Sequence, residues 1–236
     1  MKRHIIFTEK EVRLNKYLAQ TGICSRREAD KLMEEKKVAV NGRHIAPGVK
    51  VKNGDAITIL EDENPCYYFL YYKPRGEIVL PKKEKGVSLD PVGRLDKESE
   101  GLILYTNDFR VTEQLLHPRH AHKKEYTVLV REKPTPRVER LLLLGIKTQE
   151  ATYKPAEKVT LFPELNKIVI VLTEGKKHEI RRMLNALNLT IVKLVRTKIL
   201  FFGASTMKEG VLRELTKLEK AKLLSDLSLK EQSHIL

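Results

Sequence analysis

The apolar positions near the amino terminus recur with the period of two short helices. Leu14, Tyr17 and Leu18 lie at helical spacing behind a capping-box pattern that begins at Thr8. A second capping-box pattern begins at Ser25, and the apolar residues that follow it would share one helix face. The sequence therefore predicts one helix that begins near Thr8 and a second that begins at Ser25.

Short strand patterns follow these helices. The apolar stretch 38–40 runs into the dipeptide Asn-Gly at 41–42, which favours a hairpin turn. A second Asn-Gly, at 53–54, precedes the alternating stretch 57–59. We therefore expect two helices followed by a small sheet rich in hairpins.

A polar connector at 61–65 separates this unit from a longer segment with a different pattern. The longer segment has short, continuous apolar runs that predict buried strands at 67–72, 102–106, 126–130 and 167–172. Helices are predicted at 111–116, from 136 onward, at 178–187 and at 217–227. We therefore expect an α+β protein with two domains, at 8–62 and 66–228, and a disordered end at 230–236.

The aromatic run at 67–72 has two interpretations. Exposed rings on a basic protein could form a platform on which RNA bases stack. A run whose two faces are both apolar is instead typical of a buried strand. We favour the buried strand.

The charge balance limits the class of partner. A formal net charge of +14 over 236 residues favours a polyanion, because Lys and Arg side chains that neutralise phosphates release counterions. A membrane surface is disfavoured, since we find neither a basic amphipathic helix with aromatic anchors nor a long apolar span. Cys24 and Cys66 lack C-x-x-C spacing, which fits a reducing compartment. We therefore expect a cytoplasmic, monomeric protein that binds nucleic acid and contacts no membrane.

A polar loop and a basic helix carry the candidate chemistry. The loop leads into the predicted strand 102–106, so its Asp96 would be held by a rigid element. In the helix that follows the last predicted strand, Arg181 lies at the edge of the apolar stripe, whereas Arg182 and His178 point away from it. A guanidinium in a partly dry cleft must meet an anion. We therefore expect Arg181 to face an anion and Arg182 to face solvent or RNA.

The stretch 117–122 contains three histidines, which could suggest a metal site. Matching Cys or acidic ligands are missing from the pattern, so we favour a solvated basic loop near RNA. The sequence also contains no P-loop and no dinucleotide-binding motif. We therefore expect that neither a metal nor an organic cofactor is needed.

Four motifs follow one another in the first quarter of the chain: Arg13-Leu14-Asn15-Lys16-Tyr17-Leu18, Cys24-Ser25-Arg26-Arg27-Glu28-Ala29-Asp30, Val40-Asn41-Gly42 and Gly54-Asp55. In this order they closely resemble the S4 RNA-binding domain, a small module of the αL type. The cationic residues that would bind RNA are Arg13, Lys16, Arg26, Arg27, Lys31 and Arg43. Any one of them alone would more often be a solvated charge, so the order of the motifs carries the inference. S4 modules accompany several enzymes, and the function must come from the remaining chain.

A second series of motifs covers most of that remainder: Gly93-Arg94-Leu95-Asp96, Gly101-Leu102-Ile103-Leu104, Thr106-Asn107-Asp108, Lys124-Glu125-Tyr126, His178-Glu179-Ile180-Arg181-Arg182-Met183 and Lys193-Leu194-Val195-Arg196-Thr197. In this order they resemble the pseudouridine synthases. With the S4 module they look like the subgroup typified by the ribosomal small-subunit synthase A and the large-subunit synthases B and F. The stretch 94–99 looks most like the F type. The chain departs from residues frequent in the family at Tyr72, Ser99, Phe109 and Glu179, where Asn, Thr, Gly and Gln are common.

This resemblance implies a catalytic domain with a mixed, mainly antiparallel sheet flanked by helices. It implies that one uridine of a structured RNA is isomerised to pseudouridine, in 23S ribosomal RNA or also in transfer RNA. Asp96 would be the nucleophile, Arg181 would keep it ionised, and Tyr126 would pack on the target base and help to remove the C5 proton. The substrate pocket would also include Leu194, Arg94 and Lys73. The attack of Asp96 on ribose or on the base stays open, and the uridine would be flipped out of its stack.

Two other classes share part of this pattern. A non-catalytic RNA-binding or ribosome-assembly factor would have the same S4 module and charge, but it would not need the set Asp96, Tyr126 and Arg181. An RNA methyltransferase would need a glycine-rich nucleotide loop after its first strand, which we do not find. The pseudouridine synthase is therefore the favoured class.

Overall fold

The computed structural model describes residues 2–21, 23–60, 65–148 and 150–229. The chain forms two compact units. The described residues of 1–67, 108–113 and 221–236 form the first, called the amino-terminal unit below, and those of 68–107 and 114–220 form the second, the sheet unit. Apart from Pro65, the connector predicted at 61–65 lies outside the described residues, as does the end predicted to be disordered.

The amino-terminal unit combines two helices with short antiparallel strands. Its elements, in chain order, are β1 (Lys2–Ile6), β2 (Val12–Arg13), α1 (Leu14–Gln20), α2 (Arg26–Glu34), β3 (Val38–Val40), β4 (Arg43–His44), β5 (Lys50–Val51) and β6 (Ala56–Leu60). One sheet has the order β1-β6-β3-β4, and β2 pairs with β5. The hairpin predicted at Asn41-Gly42 is confirmed, because it joins β3 to β4. Strand β1 was not predicted.

The two predicted helix starts have different outcomes. Helix α2 begins as expected, since Ser25 Oγ accepts a hydrogen bond from the Glu28 N–H at 3.1 Å and the Glu28 carboxylate accepts one from the Ser25 N–H at 3.4 Å. The start near Thr8 is wrong, because α1 begins only at Leu14. The preceding backbone pairs with β5 instead, and this pairing excludes a helix there.

The core of the amino-terminal unit lies between its helices and its sheet. The ring of Phe7 is fully buried and meets the ring of Tyr17 edge-on, with centroids 4.7 Å apart. The apolar positions that predicted the helices are buried in this core, including Leu14, Leu18, Ala29 and Met33. Periodicity therefore identified the buried face of each helix correctly, even where the start of α1 was wrong.

The sheet unit is dominated by strands. They are β7 (Tyr68–Lys73), β8 (Lys82–Glu84), β9 (Val87–Val92), β10 (Glu100–Thr106), β11 (Lys124–Val130), β12 (Ile146–Lys147), β13 (Thr152–Tyr153), β14 (Lys158–Phe162), β15 (Lys167–Leu172), β16 (Ile191–Ile199), β17 (Phe202–Gly203) and β18 (Leu212–Glu214). The main sheet has the order β14-β15-β11-β16-β10-β7-β18. Its described pairs are antiparallel except for β10 with β16. The expected mixed, mainly antiparallel sheet is confirmed.

The chain has four further helices: α3 (Phe109–Leu116), α4 (Pro136–Leu144), α5 (Glu179–Asn185) and α6 (Lys217–Asp226). Residues 109–113 of α3 and 221–226 of α6 belong to the amino-terminal unit. A capping box precedes α6, since Thr216 and Glu219 exchange backbone-to-side-chain hydrogen bonds of 2.9 and 3.2 Å. Leu223 and Leu224 of this helix are buried, whereas Leu218 is 83% exposed. Among the helices in the described ranges, none has the length and apolar character to cross a bilayer.

The central strands of the sheet are buried on both faces. All seven residues of β10 are buried, and so are Tyr68, Phe69, Leu70 and Tyr71 of β7. The buried-strand interpretation of the aromatic run is therefore confirmed, and the stacking platform is wrong for these four residues. These strands form a rigid base for the loop that joins β9 to β10.

Candidate active site

The loop between β9 and β10 holds Asp96 in a tight turn. The Ser99 N–H donates to the Asp96 carbonyl at 3.0 Å, and the Lys97 carbonyl accepts from the Gly76 N–H at 2.8 Å. Gly93 opens the loop with φ +80°, a conformation that glycine adopts at little cost. The Asp96 side chain is about one-third exposed, at 32%. Its carboxylate is therefore held by the turn and remains accessible.

Lys73 supports this loop from within the core. It is fully buried, and its ammonium donates to the carbonyls of Pro74, Lys97 and Ser99 at 2.9, 3.1 and 2.6 Å. Burial lowers the pKa of this ammonium group. Its three N–H donors are all used. The expectation that Lys73 lines the substrate pocket therefore needs correction, because in this structure the side chain supports the Asp96 loop from within the core.

The carboxylate of Asp96 contacts Arg181 of α5 and His178, which directly precedes that helix; these two contacts are called the grip on Asp96 below. Arg181 Nε lies 3.5 Å from Asp96 Oδ2, and His178 Nε2 lies 3.3 Å from Asp96 Oδ1. The Arg181 guanidinium also donates to Ser99 Oγ at 3.0 Å. Each carboxylate oxygen thus has its own partner, and Arg181 joins the carboxylate to the loop that carries it. The expected approach of Arg181 to an anion is what the geometry shows.

His178 is a contact that the sequence interpretation missed. We expected it to point away from the apolar stripe, and we assigned it no part in the site. It precedes α5 in the left-handed conformation, with φ +56°, and this backbone directs its ring toward Asp96. The spacing did contain a signal, because residues three apart on a helix share a side, and His178 stands three before Arg181.

Residues that lie opposite one another on four neighbouring strands connect Tyr126 with Lys73, which supports the Asp96 loop. Tyr126 lies opposite Arg196 on β16, Arg196 opposite Gly101 on β10, and Gly101 opposite Lys73 on β7. A Cβ on Gly101 would lie 2.3 Å from the Arg196 carbonyl oxygen, and the Gly101 φ is +109°. Only glycine therefore lets β10 and β16 approach this closely.

Tyr126 and Leu194 lie on adjacent strands of the sheet. Leu194 is opposite Val128, two residues beyond Tyr126, so the side chains of Tyr126 and Leu194 share a face. Tyr126 is 8% exposed and Leu194 is 5% exposed. Arg196 on the same face is buried, and its Nε donates to the Leu102 carbonyl at 2.7 Å. Arg196 is a second residue that we had not assigned to the site.

The remaining predicted site residues are at the surface. Arg94 is exposed in the Asp96 loop, and its guanidinium has no partner within the described part of the chain. Arg182 pairs with Glu150 at 2.8 Å and lies 3.5 Å from the Tyr153 hydroxyl. The prediction that Arg182 turns away from Asp96 agrees with these contacts, in which Glu150 already pairs with the guanidinium.

An open pocket of about 390 Å³ adjoins this grip. Its lining comes from His178, from Arg181, Arg182 and Asn185 of α5, and from the stretch 189–191. Asp96 and Tyr126 are not part of the lining. The pocket therefore borders the two groups that hold Asp96, and its lining combines two guanidinium groups with the apolar Leu189 and Ile191.

The six predicted RNA-binding cations of the amino-terminal unit are all exposed: Arg13, Lys16, Arg26, Arg27, Lys31 and Arg43. Lys31 makes a loose ion pair of 3.6 Å with Glu35 along the helix. The histidines of the stretch 117–122 contact one another and Arg119. Across the described ranges, no three His, Cys, Asp or Glu residues gather as metal ligands would.

Comparison with known proteins assigns the class. Residues 47–186 match the family described as RNA pseudouridylate synthase, and residues 12–57 match the S4 domain. The chain therefore belongs to the RNA pseudouridine synthases, a family of isomerases, and carries an S4 RNA-binding domain.

Similarity to individual proteins narrows the subgroup. The chain is 36% identical over 232 residues to ribosomal large subunit pseudouridine synthase B of Bacillus subtilis, covering 89% of this chain and 95% of that protein. It is 31% identical over 224 residues to the dual-specificity RNA pseudouridine synthase RluF of Escherichia coli, covering 88% and 77%. A crystal structure of a pseudouridylate synthase has a TM-score of 0.65, with 26% identity, over 90% of this chain and 99% of that one. The subgroup of S4-containing synthases that the motifs suggested is thus confirmed, and the B type has the higher identity of these two relatives.

Proposed function

We propose that this enzyme isomerises a specific uridine of ribosomal RNA to pseudouridine, with Asp96 as its nucleophile. The single observation that supports Asp96 as the nucleophile is the grip on its carboxylate, in which one oxygen contacts His178 and the other contacts Arg181. One of the relatives named above is called a ribosomal large subunit pseudouridine synthase, which supports this substrate. Transfer RNA, which the resemblance described above also implied, is a further candidate, and a second substrate would agree with the dual specificity in the name of RluF.

The reaction needs few groups from the protein. The bond between ribose C1′ and uracil N1 breaks, the base turns, C1′ bonds to C5, the C5 proton leaves and N1 gains a proton. A carboxylate can hold one fragment covalently while the base turns. In our proposal Asp96 does this by attack on ribose or base, and Arg181 orients it. The atoms and electrons balance within the substrate, so the reaction consumes no oxidant or reductant.

Tyr126 and Leu194 would enclose the target base. Their side chains share one face of the sheet, and both are largely shielded from water. An aromatic ring and an aliphatic side chain on one face suit the two sides of a flat uracil. The Tyr126 hydroxyl would then assist removal of the C5 proton. Because the base must reach this face, the uridine would be flipped out of its stack.

The S4 domain would bind RNA next to the target uridine. Its proposed limits are 8–62, and those of the catalytic domain are 66–228, as predicted above. The six exposed cations of the S4 domain suit phosphate contacts, which position an RNA without reading its sequence. Structured RNA is recognised largely through its shape and backbone. Arg94 and Arg182 would add contacts nearer the target uridine.

The proposal is tested by mapping pseudouridine in total RNA from cells with and without the gene. Complementation with Asp96→Asn should fail to restore the missing modification, because the amide is no nucleophile. The matched control is Asp90→Asn, which changes an exposed aspartate on β9 and should restore it. Restoration of the modification by a folded Asp96→Asn protein would remove the proposed nucleophile. Identical maps with and without the gene would remove the activity itself.

A further inference from the structure

The first residue of α5 buries an acidic side chain. Glu179 is 4% exposed, although a carboxylate is rarely buried without partners. Its Oε2 accepts a hydrogen bond from the Lys176 N–H at 2.9 Å. Its Oε1 is buried and receives no hydrogen bond from a donor in the described part of the chain. One oxygen therefore lacks a partner if the group is an anion.

Glu174 supplies a partner if a proton lies between the two groups. The carboxyl groups of Glu174 and Glu179 interact, which raises the pKa of Glu179 and lowers that of Glu174, and two carboxylate anions cannot donate to each other. Glu174 already accepts from the Lys154 N–H at 3.0 Å and lies 3.3 Å from Lys176 Nζ. Since these donors favour the anion at Glu174, the shared proton resides on Glu179.

Two lysines interact with this pair: Lys176 Nζ lies 3.3 Å from Glu174, and the charge of Glu179 acts on Lys124 of β11. Next to these lysines lie Arg196 on β16, whose charge acts on Lys124, and the ring of Tyr153 on β13, under Lys176 Nζ. Burial, together with the nearby charge of Arg196, lowers the pKa of Lys124. Burial and the hydrogen bond with Glu174 raise the pKa of Glu179 from 4.5 to about 7. The cations therefore do not suffice to keep Glu179 ionised.

The pair of Glu174 and Glu179 holds in place the segment that contains His178 and Arg181. His178 directly precedes Glu179, and Arg181 follows two residues later. A non-glycine residue in the left-handed conformation, as at His178, costs free energy and persists where its neighbours hold it. Glu179 provides such a hold, because its hydrogen bond to the Lys176 N–H closes the turn in which His178 lies.

We propose that Glu179 is a positioning residue that works as a neutral carboxylic acid, donating its proton to Glu174 and so holding His178 and Arg181 against Asp96. The inference rests on the function proposed above. When Glu179 loses its proton, two buried anions face each other and the anchor fails. Glutamine has nearly the same shape as glutamic acid and donates an N–H at every pH. Glu179→Gln should therefore keep the anchor and remove its dependence on pH.

The rate of pseudouridine formation at saturating RNA tests this in the full-length protein. The probe is total RNA from cells that lack the gene, assayed from mildly acidic to alkaline pH. The wild-type rate should fall about tenfold for each pH unit above about pH 7, as a single ionisation requires. Glu179→Gln should match the wild-type rate at pH 6 within about threefold and lose this alkaline decline. Glu164→Gln, on an exposed side chain, should keep the wild-type profile.

Thermal melting tests the shared proton without RNA. Glu179 stays neutral in the folded protein up to about pH 7, whereas in the unfolded chain it ionises near 4.5. Wild-type stability should therefore fall relative to Glu179→Gln as the pH rises between these values, and the two proteins should melt alike below them. An alkaline decline that persists in Glu179→Gln, or a melting difference that does not grow with pH, would overturn the proposal. A wild-type protein that makes no pseudouridine would refute the proposed function, and melting would still decide whether the proton is shared.

Discussion

Replacement of Lys73 by methionine tests how far the position of Asp96 depends on a buried ammonium group. Methionine keeps the length of the side chain and removes its charge and its three N–H donors. The carbonyls of Pro74, Lys97 and Ser99 would then lose a donor each. Two of these carbonyls belong to the loop that carries Asp96, so the loop should loosen even though the core stays filled.

The expected change in the free energy of unfolding follows from two opposing contributions. A hydrogen bond to a charged group contributes about 1.5–3 kcal/mol, and Lys73 makes three of them. Against this stands the cost of burying the ammonium, several kcal/mol, which the lowered pKa of Lys73 reflects. We therefore expect Lys73→Met to destabilise the protein by about 2–4 kcal/mol. For a unit of this size that corresponds to a loss of about 5–15 °C in melting temperature.

Scanning calorimetry and the rate of pseudouridine formation measure the two consequences. Lys97→Met is the matched control, because Lys97 lies in the same loop with an exposed side chain and should change stability by less than about 0.5 kcal/mol. Lys73→Met should melt earlier and turn over more slowly than this control at a temperature where both are folded. If the two variants melted together and turned over equally fast, the anchoring role of Lys73 would be refuted.

Three further predictions follow from charged groups. Arg181→Ala should lower the rate at saturating RNA about a hundredfold without changing RNA affinity much, whereas Arg182→Ala should leave the rate within about threefold of wild type. Single-turnover assays measure both rates, and equal losses in the two variants would contradict the role of Arg181 in holding Asp96. The hydrogen-bonded guanidinium beside Glu219 lowers the pKa of this carboxyl to about 2, so Glu219→Gln should cost about 1–3 kcal/mol near neutral pH. In melts at several pH values that gap should narrow as the pH falls from about 4 toward 2, and a constant gap would contradict it. Joint replacement of Arg26 and Arg27 by alanine should weaken RNA binding and reduce its salt slope by about 1–2, and an unchanged slope in titrations would exclude phosphate contacts there.

Local patterns predicted local structure well. The capping box at Ser25 fixes the start of α2 by contacts within four residues, so the sequence alone was sufficient. At Thr8 the same pattern failed, because the following residues, Val12 and Arg13, pair with a strand nearly forty residues further along the chain. Helix propensity is a weak prior that such non-local pairing overrides.

In the candidate site, too, local sequence patterns predicted some contacts, and other contacts depend on the folded structure. Helical periodicity placed Arg181 at the edge of the apolar stripe, and the contact with Asp96 agrees with that position. Periodicity could not reveal the left-handed backbone of His178, since only the folded turn determines where that ring points. Nor could it show that Lys73 is buried, because a lysine at the end of a strand is ordinarily exposed. The resemblance to a family identified the chemistry, and the non-local contacts had to come from the structure.

The strand order has a consequence for how the chain folds during synthesis. Strand β7 lies between β10 and β18, and Tyr71 pairs with Leu212, which the ribosome adds roughly 140 residues later. At ~5–20 residues per second, one edge of this apolar strand remains unpaired for roughly 7–28 s. An unpaired, apolar strand edge is a template for aggregation. The sheet of the amino-terminal unit is complete by Leu60, so it can form while that edge is still open. Truncation before β18 should therefore produce a chain whose S4 fold forms but whose sheet unit aggregates.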